Sequence, residues 1–377
     1  MKKGLFLLGV LLLILFSSGQ EIKEEAIAIN IEVPVRVFDG DEFVDNLSIK
    51  DFEVYEDGVL QKIEAVYLIK KTTIEREESE LKKEVAKRKF LPQPSKRQFY
   101  LVFEVIDYSR RLGEVIDYFF NKVFAPEDRL TVVTPMKTYR LKNELFANKP
   151  LEKVMSELKE KLKKDVITGN AEYKSIIREI VGGETRLDLY LRLKELMRLD
   201  EKKLMDFAEA LKRVEGQKNV FLLYQKNAIP VTSAPLDNIT AEDLLGSASR
   251  LDVTFDVDKV KHAYSDSSIS AYFIYLTSTG DYLRDVEVDG PRDMILEDWS
   301  MNIFSAFNEV AKATGGLAES SANPAFSFEK AAEASEKYYL LYYTPKKYVA
   351  DGKFKNIEVK VKDKNYKITH RAGYIAD

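Results

Sequence analysis

The stretch Gln98–Asp107, QFYLVFEVID, constrains the fold more than any other. Its middle is apolar at consecutive positions, not alternate ones. Such a strand has to be covered on both faces, as happens inside a parallel sheet flanked by helices. The runs NVFLLYQ (219–225) and SAYFIYLTS (270–278) share this character, and DRLTVVTP and TYRLK read as further strands. The spacing between strands predicts amphipathic helices. SRRLGEVIDYFFNKVF gathers Leu112, Val115, Ile116, Phe119, Phe120 and Val123 on one side. PLEKVMSELKEKLKK does the same with Leu151, Val154, Met155, Leu158 and Leu162. DWSMNIFSAFNEVAKATGG is a helix stopped at Gly315-Gly316. Strands alternating with helices over 98–336 predict an α/β domain with a doubly wound, mostly parallel sheet. An excess of helix at about 166–215 predicts an insertion over the edge or top of that sheet. Loops at the carboxyl ends of parallel strands are where such folds place binding sites.

The chain ends follow another rule. AIAINIEVPVRVF (26–38) alternates strictly, which predicts a half-buried strand, with Pro34 suggesting an edge or a bulge. FEVYEDGVLQKIEAVYLI reads as two strands around Asp57-Gly58, a favoured hairpin dipeptide. Residues 26–69 thus supply about four strands and no helix. KYYLLYYTP, FKNIEVKVKD and YKITHRAGYI supply three more within 337–377. Together the two ends are expected to form one all-β, immunoglobulin-like sandwich. The alternative is that the last strands extend the sheet of the middle domain. Residues 70–97, nearly all charged with two prolines, predict a solvated, partly helical linker.

Residues 1–19 open with Lys2 and Lys3, run apolar from Leu5 to Phe16 and end in small residues. That is the order of a secretory signal, and the apolar run is shorter than the ~20 residues that span a bilayer. The mature chain is expected to be exported, with membrane contact only through this segment if it stays uncleaved. There is no cysteine. Disulfides, zinc–thiolate centres, Cys nucleophiles and a lipid attached at cysteine are therefore excluded. The two histidines, His262 and His370, are expected at the surface. A formal charge of −4 gives no basic face for nucleic acid. The chain holds no glycine-rich phosphate loop, no HExxH and no nucleophile elbow. No enzymatic activity and no cofactor are expected; the alternative is a hydrolase that uses a pair of the abundant carboxylates.

The order of elements resembles a von Willebrand factor type A domain, and more specifically a bacterial exported family called VWFA-related. The resemblance rests on VPVRVFDGDEFVDNLSIKDFEVYEDGVLQKI near the start, VAKATGGLAE late in the middle, and YYLLYYTP and FKNIEVKV…HRAGY at the end. It covers nearly the whole mature chain and implies a Rossmann-like α/β fold. Metal-binding members hold a divalent ion above the sheet with Asp-x-Ser-x-Ser, a loop threonine and an aspartate after the fourth strand. Here the first motif reads Asp107-Tyr108-Ser109-Arg110-Arg111, so an arginine replaces the second hydroxyl. Gln225 and Asn227 stand where the later acid is wanted, and Thr185 is the candidate for the threonine. Two readings follow. Either the Arg111 guanidinium takes the metal's place beside Asp107, or Arg110 and Arg111 face solvent and Ser109 caps the helix. Both make the metal site degenerate. The resemblance implies a periplasmic or cell-surface module that binds a protein partner through Asp107, Ser109, Arg111 and the helical insertion.

Overall fold

The computed structural model describes residues 29–71, 73–78, 97–182, 186–225, 228–232, 255–277, 294–298, 300–362 and 365–377. The expected signal segment lies outside them, as does most of the charged stretch. No helix among the described residues is long and apolar enough to cross a membrane.

The chain begins with β1 (Ile31–Asp39), β2 (Glu42–Phe43), β3 (Phe52–Glu56), β4 (Val59–Gln61), β5 (Ile63–Lys70) and β6 (Thr73–Glu78). Next come β7 (Gln98–Glu104), α1 (Arg110–Tyr118) with a π turn over Phe119–Val123, β8 (Arg129–Val133) and β9 (Thr138–Leu141). Five helices follow: α2 (Asn143–Asn148), α3 (Leu151–Gly169), α4 (Ala171–Val181), α5 (Leu187–Met197) and α6 (Glu201–Lys212). The chain continues through β10 (Lys218–Gln225), β11 (Ala228–Thr232), α7 (Val257–Asp266), β12 (Ile269–Leu276) and β13 (Met294–Asp298). After α8 (Met301–Ala313), β14 (Leu317–Ser321) and α9 (Pro324–Glu336) it ends in β15 (Lys337–Tyr343), β16 (Phe354–Val361), β17 (Lys367–His370) and β18 (Gly373–Ile375).

The protein is mixed α/β. Its central sheet has the order β14-β12-β10-β7-β8-β9, parallel throughout except for β9. The consecutive apolar residues of β7 divide between two cores. Phe99, Leu101 and Phe103 pack with α1, α3 and α9, while Tyr100 and Val102 pack with α6, α7 and α8. Helices therefore cover both faces. All six apolar residues expected on the buried side of α1 and its π turn are buried.

Two antiparallel sheets lie against each other, in the orders β17-β1-β15-β5-β6 and β18-β16-β3-β4. Both chain ends contribute to each, so the last strands do not extend the central sheet; only an isolated bridge joins Thr314 to Arg371. Val33, Val35 and Val37 are fully buried between the two sheets, each worth roughly 1.5–3 kcal/mol. The turn at Asp57-Gly58 has positive φ at both residues, the geometry of a two-residue hairpin. Three details differ from expectation. Thr73–Glu78, assigned to the linker, pairs with β5 as a charged edge strand. β1 is buried on both sides, and Pro34 sits inside it one residue before pairing with β17 begins. The final expected strand breaks into β17 and β18, which belong to different sheets.

The second buried face of β1 is explained by what it meets. Helices of a parallel sheet run back against the strands, so their carboxyl ends collect at the sheet's amino-terminal edge with unpaired carbonyls. Buried cations meet them there. Arg36 of β1 donates from Nε to Ala334 O in the last turn of α9 (2.6 Å), from Nη1 to Gly315 O just beyond α8, and from Nη2 to the Tyr272 hydroxyl (2.6 Å). Arg371 donates to Gly373 O (2.8 Å) and to Asp266 O at the end of α7 (3.3 Å). The Lys218 ammonium donates to Ser267 O, one residue beyond α7 (2.9 Å). Gly316 is required by this crowding, since a Cβ there would stand 1.9 Å from Ala271 O. The histidines lie nearby. Both were expected at the surface and both are half-buried: His262 stacks on Phe354, and His370 accepts at Nε2 from the Val359 amide (3.4 Å).

Candidate functional site

The candidate site lies where β7 ends. Beyond Glu104 the chain leaves the sheet through Val105, Ile106 and Asp107 and enters α1 at Ser109. Gln225, the last residue of β10, fixes this exit: its Oε1 accepts from the amides of both Ile106 and Asp107 (2.9 Å each). A carboxamide oxygen turned onto two backbone amides holds the loop, and that is the work Gln225 does at the position where an acid was sought.

Asp107 is paired with Lys174, Oδ1 against Nζ, and both side chains are less than one-fifth exposed. Lys174 belongs to α4. Asn170 anchors the start of that helix by donating from Nδ2 to Val105 O (2.9 Å) and to Val166 O (2.8 Å). Lys174 follows one turn later on the same face of the helix, with its amide donating to Asn170 O (3.0 Å). Tyr173, Ile176, Ile177 and Ile180 bury the rest of that face. The anchor at Val105 thus delivers an ammonium to the carboxylate two residues further on.

The other expected residues are arranged differently. Arg111 is exposed and its Nη1 donates to Ala322 O (3.3 Å), so the cation recorded at Asp107 is a lysine from the insertion and not this arginine. Ser109 occupies the N-cap position with extended dihedrals, but its side chain makes no capping hydrogen bond; its carbonyl accepts from Leu112 (3.0 Å). Ser109 and Arg110 are exposed. Thr185 and Asn227 lie outside the described residues.

A second carboxylate near the carboxyl end of the sheet is also occupied. Asp165 is buried and accepts at Oδ2 from Thr134 Oγ1 (2.8 Å) and from the Tyr139 hydroxyl (2.7 Å). Burial, and then the bond to Asp165, push Tyr139 up to about 12, so it stays a donor. Among the described residues no group of three or more His, Asp or Glu is arranged to hold a metal ion. The donors around Asp107 do not suit a divalent cation either. Hard cations need several oxygens, and here the carboxylate is in contact with an ammonium and the carboxamide oxygen is spent on the backbone.

Sequence reasoning missed Lys174 and Asn170. The one signal was a lone lysine at the margin of the apolar face of EYKSIIREIV, and its partner lies 67 positions earlier. No family model, curated protein or solved structure matches this chain.

Proposed function

We propose that the chain is an exported, non-enzymatic scaffold or protein-interaction module, and that its α/β domain is of the von Willebrand A type with the metal's place taken by a side chain. One observation carries this reading: the Asp107–Lys174 pair at the carboxyl end of β7. An internal ammonium supplies the positive charge that an ion supplies in the metal-binding members the sequence resembles, and needs no metal to do so. The strand order supports the type A assignment. Numbered within the domain it runs 3-2-1-4-5-6, with only the third strand antiparallel. The two facing antiparallel sheets built from both chain ends support an immunoglobulin-like companion. Surfaces flanking the site, formed by Ser109, Arg111 and the helices from α4 to α6, then bind a protein partner without a bridging ion. The test is affinity capture with the mature chain from envelope extract of its own source cells, with and without a chelator. Capture of the same partner under both conditions is expected. Release by chelator would point instead to a metal-dependent adhesin using Asp107 and Ser109.

A further inference from the structure

On the side of α6, α7 and α8 the helical cover of the central sheet ends at β7. The core beneath these helices takes in Tyr100 and Val102 of β7 but no residue of β8 or β9. Cross-strand register lines up Tyr100, Thr131 of β8 and Arg140 of β9 on this face. Strands lie about 4.8 Å apart, so Tyr100 and Arg140 rise roughly 10 Å from each other with the short Thr131 side chain between them. They are the walls of a slot, and Thr131 is its floor. Arg129, two residues before Thr131 on β8, shares the face and closes one end. The phenol sets this slot apart from a solvated sheet edge. Tyr100 is only 9% exposed, and its hydroxyl makes no hydrogen bond among the described residues. Phe207 of α6 holds its ring edge-on (centroids 6.0 Å apart). Burial pushes the phenol up, while Arg140 and then Arg129 pull it back, and no carboxylate among the described residues acts on it. It therefore stays a neutral donor.

Arg129 and Arg140 are exposed, as are Lys137 and Lys142 beside them, and none of these forms an ion pair among the described residues. The nearest acids in sequence are Glu127 and Glu144; Glu104, on the same face, lies four residues further along β7, roughly 13 Å away. The surface is thus locally cationic in a chain whose formal charge is −4. Lysine and arginine often guard an open strand edge, which β9 is. Guarding does not account for a buried donor left without an acceptor, which is costly. Guanidinia, phenol and threonine hydroxyl all offer donors to one point, and a carboxylate only accepts. We propose that the slot receives an aspartate or glutamate side chain from an acidic segment of a partner protein. Its carboxylate accepts from both guanidinia and from the Tyr100 hydroxyl, and Lys137 and Lys142 meet further acids of the same segment. The inference rests on reading the chain as an interaction module, and it adds the chemistry of the partner and the place where it binds.

The test titrates the full mature chain into a fluorescently labelled hexapeptide carrying three glutamates and no basic residue, read by anisotropy. Saturable binding that weakens with salt is expected. Arg129→Gln with Arg140→Gln should weaken it by about ten-fold or more. Replacing the glutamates of the peptide by glutamine, which keeps the shape and removes the charge, should have a similar effect. Tyr100→Phe keeps the ring against Phe207 and removes a hydroxyl that bonds to nothing, so it should leave the thermal midpoint unchanged and weaken binding by about three-fold or more. A merely structural role would not separate those two readouts. Absence of saturable binding, or equal binding by native chain and variants, would overturn the proposal. Displacement of the peptide by sub-millimolar inorganic phosphate would assign the slot to a small oxyanion and overturn it too. Repeating the envelope capture with the double arginine variant separates this site from the reading it rests on. Undiminished capture refutes the slot and leaves the module intact, whereas failure of the native chain to capture any partner removes both.

Discussion

Replacing Arg36 with methionine will destabilise the protein by about 3–5 kcal/mol. Arg36 is 1% exposed, and the hydrogen bonds it donates go to two carbonyls and a phenol. The carbonyls belong to the ends of α8 and α9, where the aligned peptide dipoles leave partial negative charge. Their partial charges, and the rings of Tyr272 and Tyr338 at 5.6 and 5.3 Å from the guanidinium carbon, offset its desolvation. Methionine fills similar space but removes the donor from the Ala334 carbonyl, leaves Gly315 O only the Thr369 hydroxyl at 3.4 Å, and takes one partner from the Tyr272 hydroxyl; each buried polar group that loses its partner costs about 1–3 kcal/mol. Arg36→Lys should recover only part of the loss, because one ammonium cannot reach three acceptors spread across a guanidinium. Denaturant unfolding reads this as a fall in midpoint at constant slope. A loss below about 1 kcal/mol would mean that the hydrogen bonds of Arg36 do no more than offset its desolvation.

The second large effect depends on pH. Burial lowers Lys218 from 10.5 to about 8, with repulsion from Arg371 adding to the shift. Between these two values the unfolded chain binds more protons than the folded one, so stability rises with pH across that window. From about pH 7 to about pH 9.5 this amounts to about 2 kcal/mol in favour of the native state. The buried tyrosines act in the opposite direction, but only above about pH 10. Lys218→Met should flatten the profile. The difference in unfolding free energy between native protein and variant should therefore drift by that amount, in favour of the native protein, as pH rises. Parallel profiles would show that Lys218 is not held against its charge.

Lys218 and Arg36 also show where the sequence stops being legible. Elements set by local pattern could be read directly. The unbroken apolar run at 98–107 requires cover on both faces, the valines at 33, 35 and 37 require one apolar face, and Asp57-Gly58 suits a two-residue turn. Features set by distant partners could not be read. Thr73–Glu78 has a linker's composition and becomes a strand because β5 offers an open edge. Arg36 looks like a solvent-facing residue of an alternating strand until α8 and α9 bring their carbonyls to it. The candidate site divides along the same line. Asp107 was evident from the strand that ends beside it. The neighbouring arginines were the obvious cations, yet Asn170 anchors α4 to Val105 and brings Lys174 to the carboxylate. Local proximity in sequence favoured Arg111, but that side chain points to Ala322 on the loop after β14.

Calorimetric titration of the purified chain with Mg²⁺ and Ca²⁺ tests most directly whether Lys174 stands in for an ion at Asp107. Flat titrations up to millimolar metal, identical for the native chain and Asp107→Ala, are the expected result. Saturable micromolar binding by the native chain that Asp107→Ala abolishes would contradict it.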